Sequence, residues 1–381
     1  MPSQLHPNPL SRIYLDGVIK ERPDQEAARA RYIGSTLFPS KEVPAYRIAW
    51  DVIKSENNLA GIYAINGKPV PGSDMRFAEK FQEVQNVMSA RVVHPEDVMY
   101  LREPGEPSVG TASWNLKRRA QDNINEKIAV CDDEVDAQKE YLALKAVQGQ
   151  IVWPPVDGDG NAIGTPMPQW GHSQMVINFP IRSTFKQDAT TLMGFAARTG
   201  TQVAWTDPVN SNPLVDLEVI AELIYETTGL DAHGSRIIMG GGLMSRLCFN
   251  AEIISWIKGT ERGTNYIAPE DMKNLIKTKI GYEIQEYSAT WTYRTGEDAD
   301  GGPTINSVPF MARNRLIIIP PGVKLGYMAS APSPDGNYRS GKYTWVVKDQ
   351  EPPWETRIGE GEVCFPVFQE SQSVFIFNAA S

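Results

Sequence analysis

Residues 113–148 read SWNLKRRAQDNINEKIAVCDDEVDAQKEYLALKAVQ and contain neither glycine nor proline. Apolar residues recur along one side, in a row seven apart and in a second row beside it: Ile128, Val135, Leu142, Ile124 and Cys131. This spacing predicts one long helix, capped at Ser113, with a narrow apolar stripe on a charged rod. At 1.5 Å per residue the rod is about 50 Å long. A long helix with a narrow apolar stripe typically lies across a sheet or in a helix bundle.

The segment before this helix predicts an extended arm followed by a long hairpin. Residues 1–45 contain six prolines, with a short helix expected at Gln25–Tyr32. Strand patterns follow at residues 46–53, 60–65 and 75–93. Asn66-Gly67 is a strong turn signal between them, and the tip is rich in Gly and Pro. Because a two-stranded hairpin is at best marginally stable in water, this one needs another surface to lie on.

The segment after the long helix is expected to contain both strands and helices. The strands are expected at 151–155, 175–179, 236–239, 284–293, 316–319, 324–328 and 363–378, and the helices at 214–229, 243–258 and 269–279.

Composition excludes several classes of protein. The 381 residues are 41% hydrophobic and 22% charged, which excludes a disordered or collagen-like chain. The net charge of −9 argues against strong binding to nucleic acid through its phosphates. Three widely separated cysteines suit a reducing compartment and form no zinc-binding pattern. The sequence shows no signal peptide at its start and no apolar run of 18 residues, so no membrane contact is expected.

No stretch carries a catalytic, cofactor or metal motif, so the chain is not expected to be an enzyme. Asp157–Asn161 begins like a calcium loop, but the pattern fails further on, and an exposed turn is preferred. Gly240–Gly242 lacks the lysine and spacing of a phosphate-binding loop, and reads as a tight strand-to-helix turn. The four histidines are scattered, and Asp132-Asp133 reads as part of a solvated helix face.

The order of these elements, together with short local stretches, resembles one protein family. The stretches are Phe38-Pro39 with Lys41-Glu42-Val43, Val92-Val93-His94-Pro95, Glu140–Gly149, Leu316–Pro320 and Pro353-Trp354. In this order the chain resembles the lambda-type major head proteins (E proteins) of tailed phages, which have the Hong Kong 97-type capsid fold. The resemblance therefore implies the α+β class.

The resemblance implies a domain organisation. An N-terminal arm would span 1–45, an extended hairpin loop 46–110, a peripheral domain with the spine helix 111–190, an axial domain 191–325, and the return strands of the peripheral domain 326–381.

The resemblance also implies a function and partners. Copies of the chain would form hexamers and pentamers of an icosahedral shell, which encloses double-stranded DNA with weak contacts. The arm is too short and proline-rich to serve as an internal scaffold, so a separate scaffolding protein is expected. A decoration protein and a portal would be further partners. Assembly would occur in the host cytoplasm, and the product would be the virion capsid.

Contacts between copies are expected at the hairpin tip and at the basic start of the long helix. The residues are Asn66, Gly67, Lys68, Arg76, Phe77, Lys117, Arg118 and Arg119. Lys68 could also form an isopeptide cross-link, although a lysine at a loop tip is more often only solvated. Two alternatives stay open: the shell protein of a cargo-loaded nanocompartment with the same fold, and a hydrolase with a site near Gly240–Gly242.

Overall fold

The computed structural model describes residues 15, 32–53, 77–94, 113–153, 175–192, 203–258, 266–297, 303–334, 336–348 and 355–380. The chain divides into two compact units. Unit 1 comprises residues 1–49, 81–143 and 327–367, and unit 2 comprises residues 50–80, 144–326 and 368–381. The helix expected at 25–32 and the strand expected at 60–65 lie outside the described residues.

The helices follow the sequence signals closely. They are α1 (Gly34–Leu37), α2 (Ser113–Val147), α3 (Pro213–Thr228), α4 (Leu243–Cys248), α5 (Ala251–Lys258) and α6 (Pro269–Lys279). The prediction of the long helix is confirmed by α2. In α6, proline occupies the first turn with two acidic residues, and lysines occupy the last, as the helix dipole favours. Gly229 ends α3 in a left-handed conformation, φ 70°.

Sixteen strands are present in the described ranges. They are β1 (Ser40–Glu42), β2 (Arg47–Ile53), β3 (Phe77–Glu83), β4 (Gln85–Val93), β5 (Gln150–Trp153), β6 (Met175–Asn178), β7 (Lys186–Asp188), β8 (Arg236–Gly240), β9 (Glu283–Tyr287), β10 (Thr290–Glu297), β11 (Pro303–Pro309), β12 (Arg315–Ile319), β13 (Gly326–Ala331), β14 (Tyr343–Lys348), β15 (Thr356–Phe368) and β16 (Phe375–Asn378).

Unit 1 is built on a five-stranded sheet with β15 at its centre. β4 and β14 both pair antiparallel with residues 356–361 of β15, so they occupy its two opposite edges. β13 also pairs with β15, and β1 pairs parallel with β13. Helix α2 packs on this sheet, where Ile124 and Ile358 belong to one buried cluster.

Unit 2 contains a mixed sheet in the order β7-β16-β12-β8-β9. The central strand β12 reads RLIII, and four of its five residues are buried, because strands cover both edges and apolar side chains cover both faces. The main core lies here and includes Phe375 and Phe377 on β16 and Ile276 on α6. Full burial of one such side chain contributes about 1.5–3 kcal/mol.

Three pairs of strands form two-stranded ribbons outside these sheets: β2–β3, β5–β6 and β10–β11. The β10–β11 ribbon is antiparallel over its length and carries an irregularity between Arg294 and Gly296. Ribbons of two strands leave unpaired edges, and they gain stability by packing on another surface.

The helix expected at 243–258 is divided into α4 and α5, which corrects the prediction. Asn250 lies at the break. Its Oδ1 accepts a hydrogen bond from the backbone N–H of Ile253 at 3.2 Å, which is the bond of an N-cap. Its Nδ2 donates to the Oγ of Ser211 at 2.9 Å. Asn250 thus begins a new helix, although the apolar pattern continues through it.

Three expected strands are also divided. The segment 75–93 forms β3 and β4, and only β3 pairs with β2, while β4 joins the sheet of unit 1. The segment 284–293 is interrupted at Ser288 and Ala289, and 363–378 at residues 369–374. In each case one apolar run serves two different partners, which spacing along a sequence cannot reveal.

Candidate subunit contact surfaces and a buried ionic cluster

Unit 1 contains a buried group of charges, here named the carboxyl–lysine cluster. Its members are Asp132, Asp136 and Lys139 on α2, Lys342 before β14, and Glu360 and Glu362 on β15. Asp132, Glu360 and Glu362 are 1%, 0% and 2% exposed. The expectation that Asp132 lies on a solvated helix face is therefore wrong, because this side of α2 faces the sheet.

Two lysines connect the helix to the strand within this cluster. Nζ of Lys342 contacts Asp132, lies 2.6 Å from Oδ1 of Asp136, and is 3.7 Å from Oε1 of Glu360. Nζ of Lys139 lies 2.8 Å from Oε2 of Glu362. Four carboxyl groups thus face two lysines.

The environment changes the proton affinities of the cluster. Burial raises the pKa of Glu360 to about 8, and the neighbouring Asp132 and Asp136 act in the same direction, against Lys342. Burial opposes the charge on Lys342, yet the surrounding carboxyl groups hold its pKa above the ordinary value. Burial also raises the pKa of the Cys364 thiol to about 12, so this cysteine stays protonated and unreactive.

Glu140, on the same helix, binds the described end of the N-terminal arm. Its Oε1 accepts the backbone N–H of Ile33 at 3.0 Å, and its Oε2 accepts that of Gly34 at 2.7 Å. A Cβ atom at Gly34 would lie 2.4 Å from Oε2 of Glu140, so only glycine permits this approach. The carboxylate thereby satisfies two N–H groups at the start of α1.

The surface of unit 2 carries an exposed aromatic corner, formed by Val209, Phe249 and Tyr266. These side chains are 71%, 49% and 47% exposed, and the two aromatic rings lie 5.1 Å apart. Backbone hydrogen bonds from Ala251 to Pro208 and from Ile267 to Cys248 bring the three segments together. Exposed apolar groups that are contiguous in this way are typical of a protein contact surface.

A second exposed aromatic residue lies on a tight loop of unit 1. Tyr338 is 74% exposed and has φ 57°, and Asn337 before it has φ 54°. The N–H of Tyr338 donates to the carbonyl of Ser333 at 2.8 Å, which holds the loop in this conformation. Two consecutive left-handed residues other than glycine are strained, and such strain is often found at functional positions.

Only some of the predicted contact residues are among those that the structure describes. Asn66, Gly67, Lys68 and Arg76 lie outside the described residues. Phe77 is the first residue of β3, and Lys117–Arg119 lie in the second turn of α2. Their participation in contacts between copies remains a prediction.

The glycine triplet forms the expected turn between β8 and α4. A Cβ atom at Gly240 would lie 2.5 Å from the carbonyl oxygen of Ala312, so this glycine serves close packing. The triplet borders a cavity of about 190 Å³. Its lining is Gly241, Gly242, Tyr287, Ser288, Thr290, Pro309, Met311 and Arg313. This lining contains no carboxyl or imidazole group that could serve as the base of a hydrolase.

The other candidate residues from the sequence either make local contacts within the fold or lie outside the described residues. Nδ1 of His233 lies 2.6 Å from the carbonyl oxygen of Ile280, and Nδ1 of His94 lies 3.8 Å from Glu355. Asp157–Asn161 lies outside the described residues. Within the part of the chain that the structure describes, no three His, Cys, Asp or Glu side chains are placed to hold a metal ion, and no helix is long and apolar enough to cross a membrane.

Sequence patterns did not reveal the carboxyl–lysine cluster. One signal was present: β15 reads TRIGEGEVCFPVF, in which two glutamates alternate with glycines inside an otherwise apolar strand. Gly359 and Gly361 accept no side chain, because a Cβ at Gly359 would lie 2.4 Å from the carbonyl oxygen of Ser89. Glu360 and Glu362, which alternate with these glycines, point to the other face of the sheet, toward α2.

A comparison with protein families yields one match over most of the chain. The family is described as phage major capsid protein E, and its model matches residues 14–344. No sequence among the curated proteins matches significantly.

One solved structure shares the fold at low sequence identity, and two others are similar over most of their length with lower TM-scores. A prophage protein of E. coli CFT073, described as a capsid protein, is 15% identical with a TM-score of 0.56, over 97% of this chain and 99% of that one. A phage-related protein of Bordetella bronchiseptica is 14% identical with a TM-score of 0.45, over 96% of each chain. An encapsulin of Synechococcus elongatus is 9% identical with a TM-score of 0.41, over 94% of this chain and 90% of that one.

Proposed function

The chain belongs to the phage major capsid protein E family, and from this premise we propose how it builds its shell. It is a structural subunit of a phage capsid that assembles with copies of itself. In our proposal the copies form hexamers and pentamers, which close into an icosahedral shell around the double-stranded DNA of a tailed phage. One surface meets a different surface of the next copy, and such heterologous contacts close into rings. The observation that carries the proposal is the family match over residues 14–344.

Features of the described residues support assembly through unsatisfied surfaces. Among the described strands none pairs as a third with the β2–β3 or β10–β11 ribbon, and the aromatic corner of unit 2 exposes Phe249 and Tyr266. Each gains apolar burial when another copy covers it, and burial is the main favourable term in association. A subunit that exposes such surfaces as a monomer is suited to an assembly in which neighbouring copies cover them.

The proposed contacts follow the predicted organisation of the chain. The hairpin loop of 46–110 lies over a neighbouring copy, with its tip from Asn66 to Phe77 at the contact. Lys117–Arg119 contribute a positive group at the start of α2. The axial domain, 191–325, lines the centre of each ring.

The proposed partners are those of a capsid that is assembled and then filled. A separate scaffolding protein directs assembly in the host cytoplasm, a portal admits the DNA, and a decoration protein reinforces the finished shell. The net charge of −9 suits an enclosure that contacts DNA weakly. We also propose that the chain has no catalytic activity. The family match favours the capsid over the nanocompartment and the hydrolase.

The test of this function is negative-stain electron microscopy of the purified protein after co-expression with the neighbouring scaffold gene. We expect closed shells, or rings of five and six subunits. A monodisperse monomer or dimer under all conditions would contradict the proposal. Shells that contain a cargo enzyme, from a gene cluster without a portal gene, would assign the protein to the nanocompartments instead.

Deletion of Gly67–Met75 tests the hairpin. We expect a folded subunit, with the circular dichroism spectrum and the unfolding midpoint of the full chain, that no longer forms closed shells. The physical reason is that the tip gains burial only on a neighbouring copy. Normal shells from the shortened chain would remove the role proposed for the hairpin.

A further inference from the structure

Glu360 has an environment in which an ionised carboxylate is poorly stabilised. The side chain is 0% exposed, and no described residue donates a hydrogen bond to either carboxylate oxygen. The nearest cation, Nζ of Lys342, is 3.7 Å from Oε1 of Glu360 but only 2.6 Å from Asp136, and it also contacts Asp132. Lys342 is therefore engaged mainly by α2. A buried charge without a close partner is strongly unfavourable.

A proton on Glu360 removes this cost. The protonated carboxyl is a donor, and the carboxyl group of Asp132 is within hydrogen-bonding reach of it. One proton between two adjacent carboxyls converts a repulsion into a hydrogen bond, and the pair then titrates as a unit. It also lowers the excess of negative charge where four carboxyl groups face two lysines.

We propose that Asp132 and Glu360 form a proton-binding site, which holds one proton between helix α2 and strand β15 and loosens their packing when the proton leaves. In the reaction the O–H bond of one carboxyl breaks, the proton passes to water, and the carboxylate keeps the electron pair. The two carboxylates then repel each other across the contact between α2 and β15. The proposal concerns the fold of unit 1 and does not depend on the capsid function.

Other ionisable groups near the site determine its response to pH. The ionisable groups that act on the site or on its charged neighbours come from four elements. They are Cys131, Glu134, Asp136 and Lys139 on α2, Arg91 on β4, Lys342 before β14, and Glu362 and Cys364 on β15. The environment holds the pKa of Glu360 near 8, against an ordinary value of 4.5. When the contact between α2 and β15 opens, Glu360 regains its ordinary pKa. The open form therefore releases the proton of Glu360 at lower pH than the packed form. Opening becomes about ten-fold more favourable for each pH unit between about 4.5 and 8, and no further above that.

The first experiment follows the carboxyl directly, by infrared difference spectroscopy of the full chain between about pH 6 and about pH 10. All variants are made in an Asp216→Asn parent chain, because Asp216 is a second buried carboxyl that loses its proton in this range. The band of one buried, protonated carboxyl should disappear with a midpoint near 8 in this parent chain. It should be absent in Glu360→Gln, and unchanged in the control Glu126→Gln, whose glutamate is exposed on the same helix. In Asp132→Asn the midpoint should move to lower pH, because the repelling neighbour is gone. No such band in the parent chain, or its persistence when Glu360→Gln is added, overturns the proposal.

The second experiment measures the loosening, by hydrogen exchange of the backbone amides of Thr356–Phe368. Comparing the wild type with Glu360→Gln at each pH cancels the intrinsic dependence of exchange on pH. The ratio of the two rates should rise about ten-fold per pH unit between about pH 6 and 8 and then level off. A ratio that stays constant with pH means that the proton does not control the contact, and the proposal fails even if the infrared band is found.

Discussion

Replacement of Glu140 by glutamine should release the described end of the N-terminal arm while the rest of unit 1 stays folded. The carboxylate of Glu140, 3% exposed, accepts the N–H groups of Ile33 and Gly34 at 3.0 and 2.7 Å. Glutamine keeps one acceptor oxygen, but it turns an NH₂ group toward the other backbone N–H. Two donors then face each other in a site that is closed to bulk solvent.

The magnitude follows from the bonds lost. A hydrogen bond to a charged group contributes about 1.5–3 kcal/mol, so Glu140→Gln should destabilise the arm by about 2–3 kcal/mol. Glu140→Ala leaves both amides without an acceptor and should cost about 3–5 kcal/mol. Since about 1.4 kcal/mol corresponds to ten-fold in an equilibrium constant, glutamine should accelerate exchange of the arm amides about 30- to 150-fold.

The assay is hydrogen exchange of the arm amides in the unassembled subunit, read at Ile33–Phe38. Glu126→Gln is the matched control, because Glu126 is an exposed glutamate on the same helix. Exchange that stays within two-fold of the wild type in both Glu140 variants would refute the reasoning. It would mean that the arm is retained by the pairing of β1 with β13 alone.

Three further predictions concern packing, pH and assembly. Gly359→Ala should destabilise unit 1 by at least about 1–3 kcal/mol in denaturant unfolding, because its Cβ would lie 2.4 Å from the carbonyl oxygen of Ser89; an unchanged midpoint would contradict the packing. Burial raises the pKa of Asp216 to about 7, so the stability of unit 2 should fall from about pH 4 to 7, and Asp216→Asn should abolish this slope. The fluorescence of Trp205, whose indole N–H donates to Asp216 at 2.6 Å, should titrate with the same midpoint in the wild type and not in the variant. Phe249→Ser should leave the melting temperature of the subunit within about 2 °C of the wild type but reduce the yield of shells in electron microscopy, since Phe249 is exposed; undiminished yields would exclude the aromatic corner as a contact.

Local elements could be predicted from the sequence where one physical signal dominates. The apolar rows and the absence of glycine and proline located α2 to within one residue, and proline with terminal charges located α6 at its observed bounds. The α+β class followed from the family that the chain resembles. The family was suggested by resemblance, which periodicity alone could not supply.

The remaining features depend on partners far away in the sequence. Asn250 divides a helix because it caps α5 and binds Ser211 on another segment. Asp132 is buried because residues 342 and 360 lie against it in the fold. The spacing of charges along α2 is the same whether a charge faces water or a lysine from another strand, so this information is absent from the local pattern.

The arm has a consequence for the edge of the sheet in unit 1. Residues 40–42 run parallel to β13 and occupy its edge on the side away from β15. An unoccupied strand edge is a template on which any extended segment can add, and crowded identical chains offer many such segments. Because Glu140 and the ladder with β13 attach the arm at two points, the edge is filled from within the same chain. The pairing of residues 40–42 with β13 thus closes this edge to strand pairing with another copy of the chain.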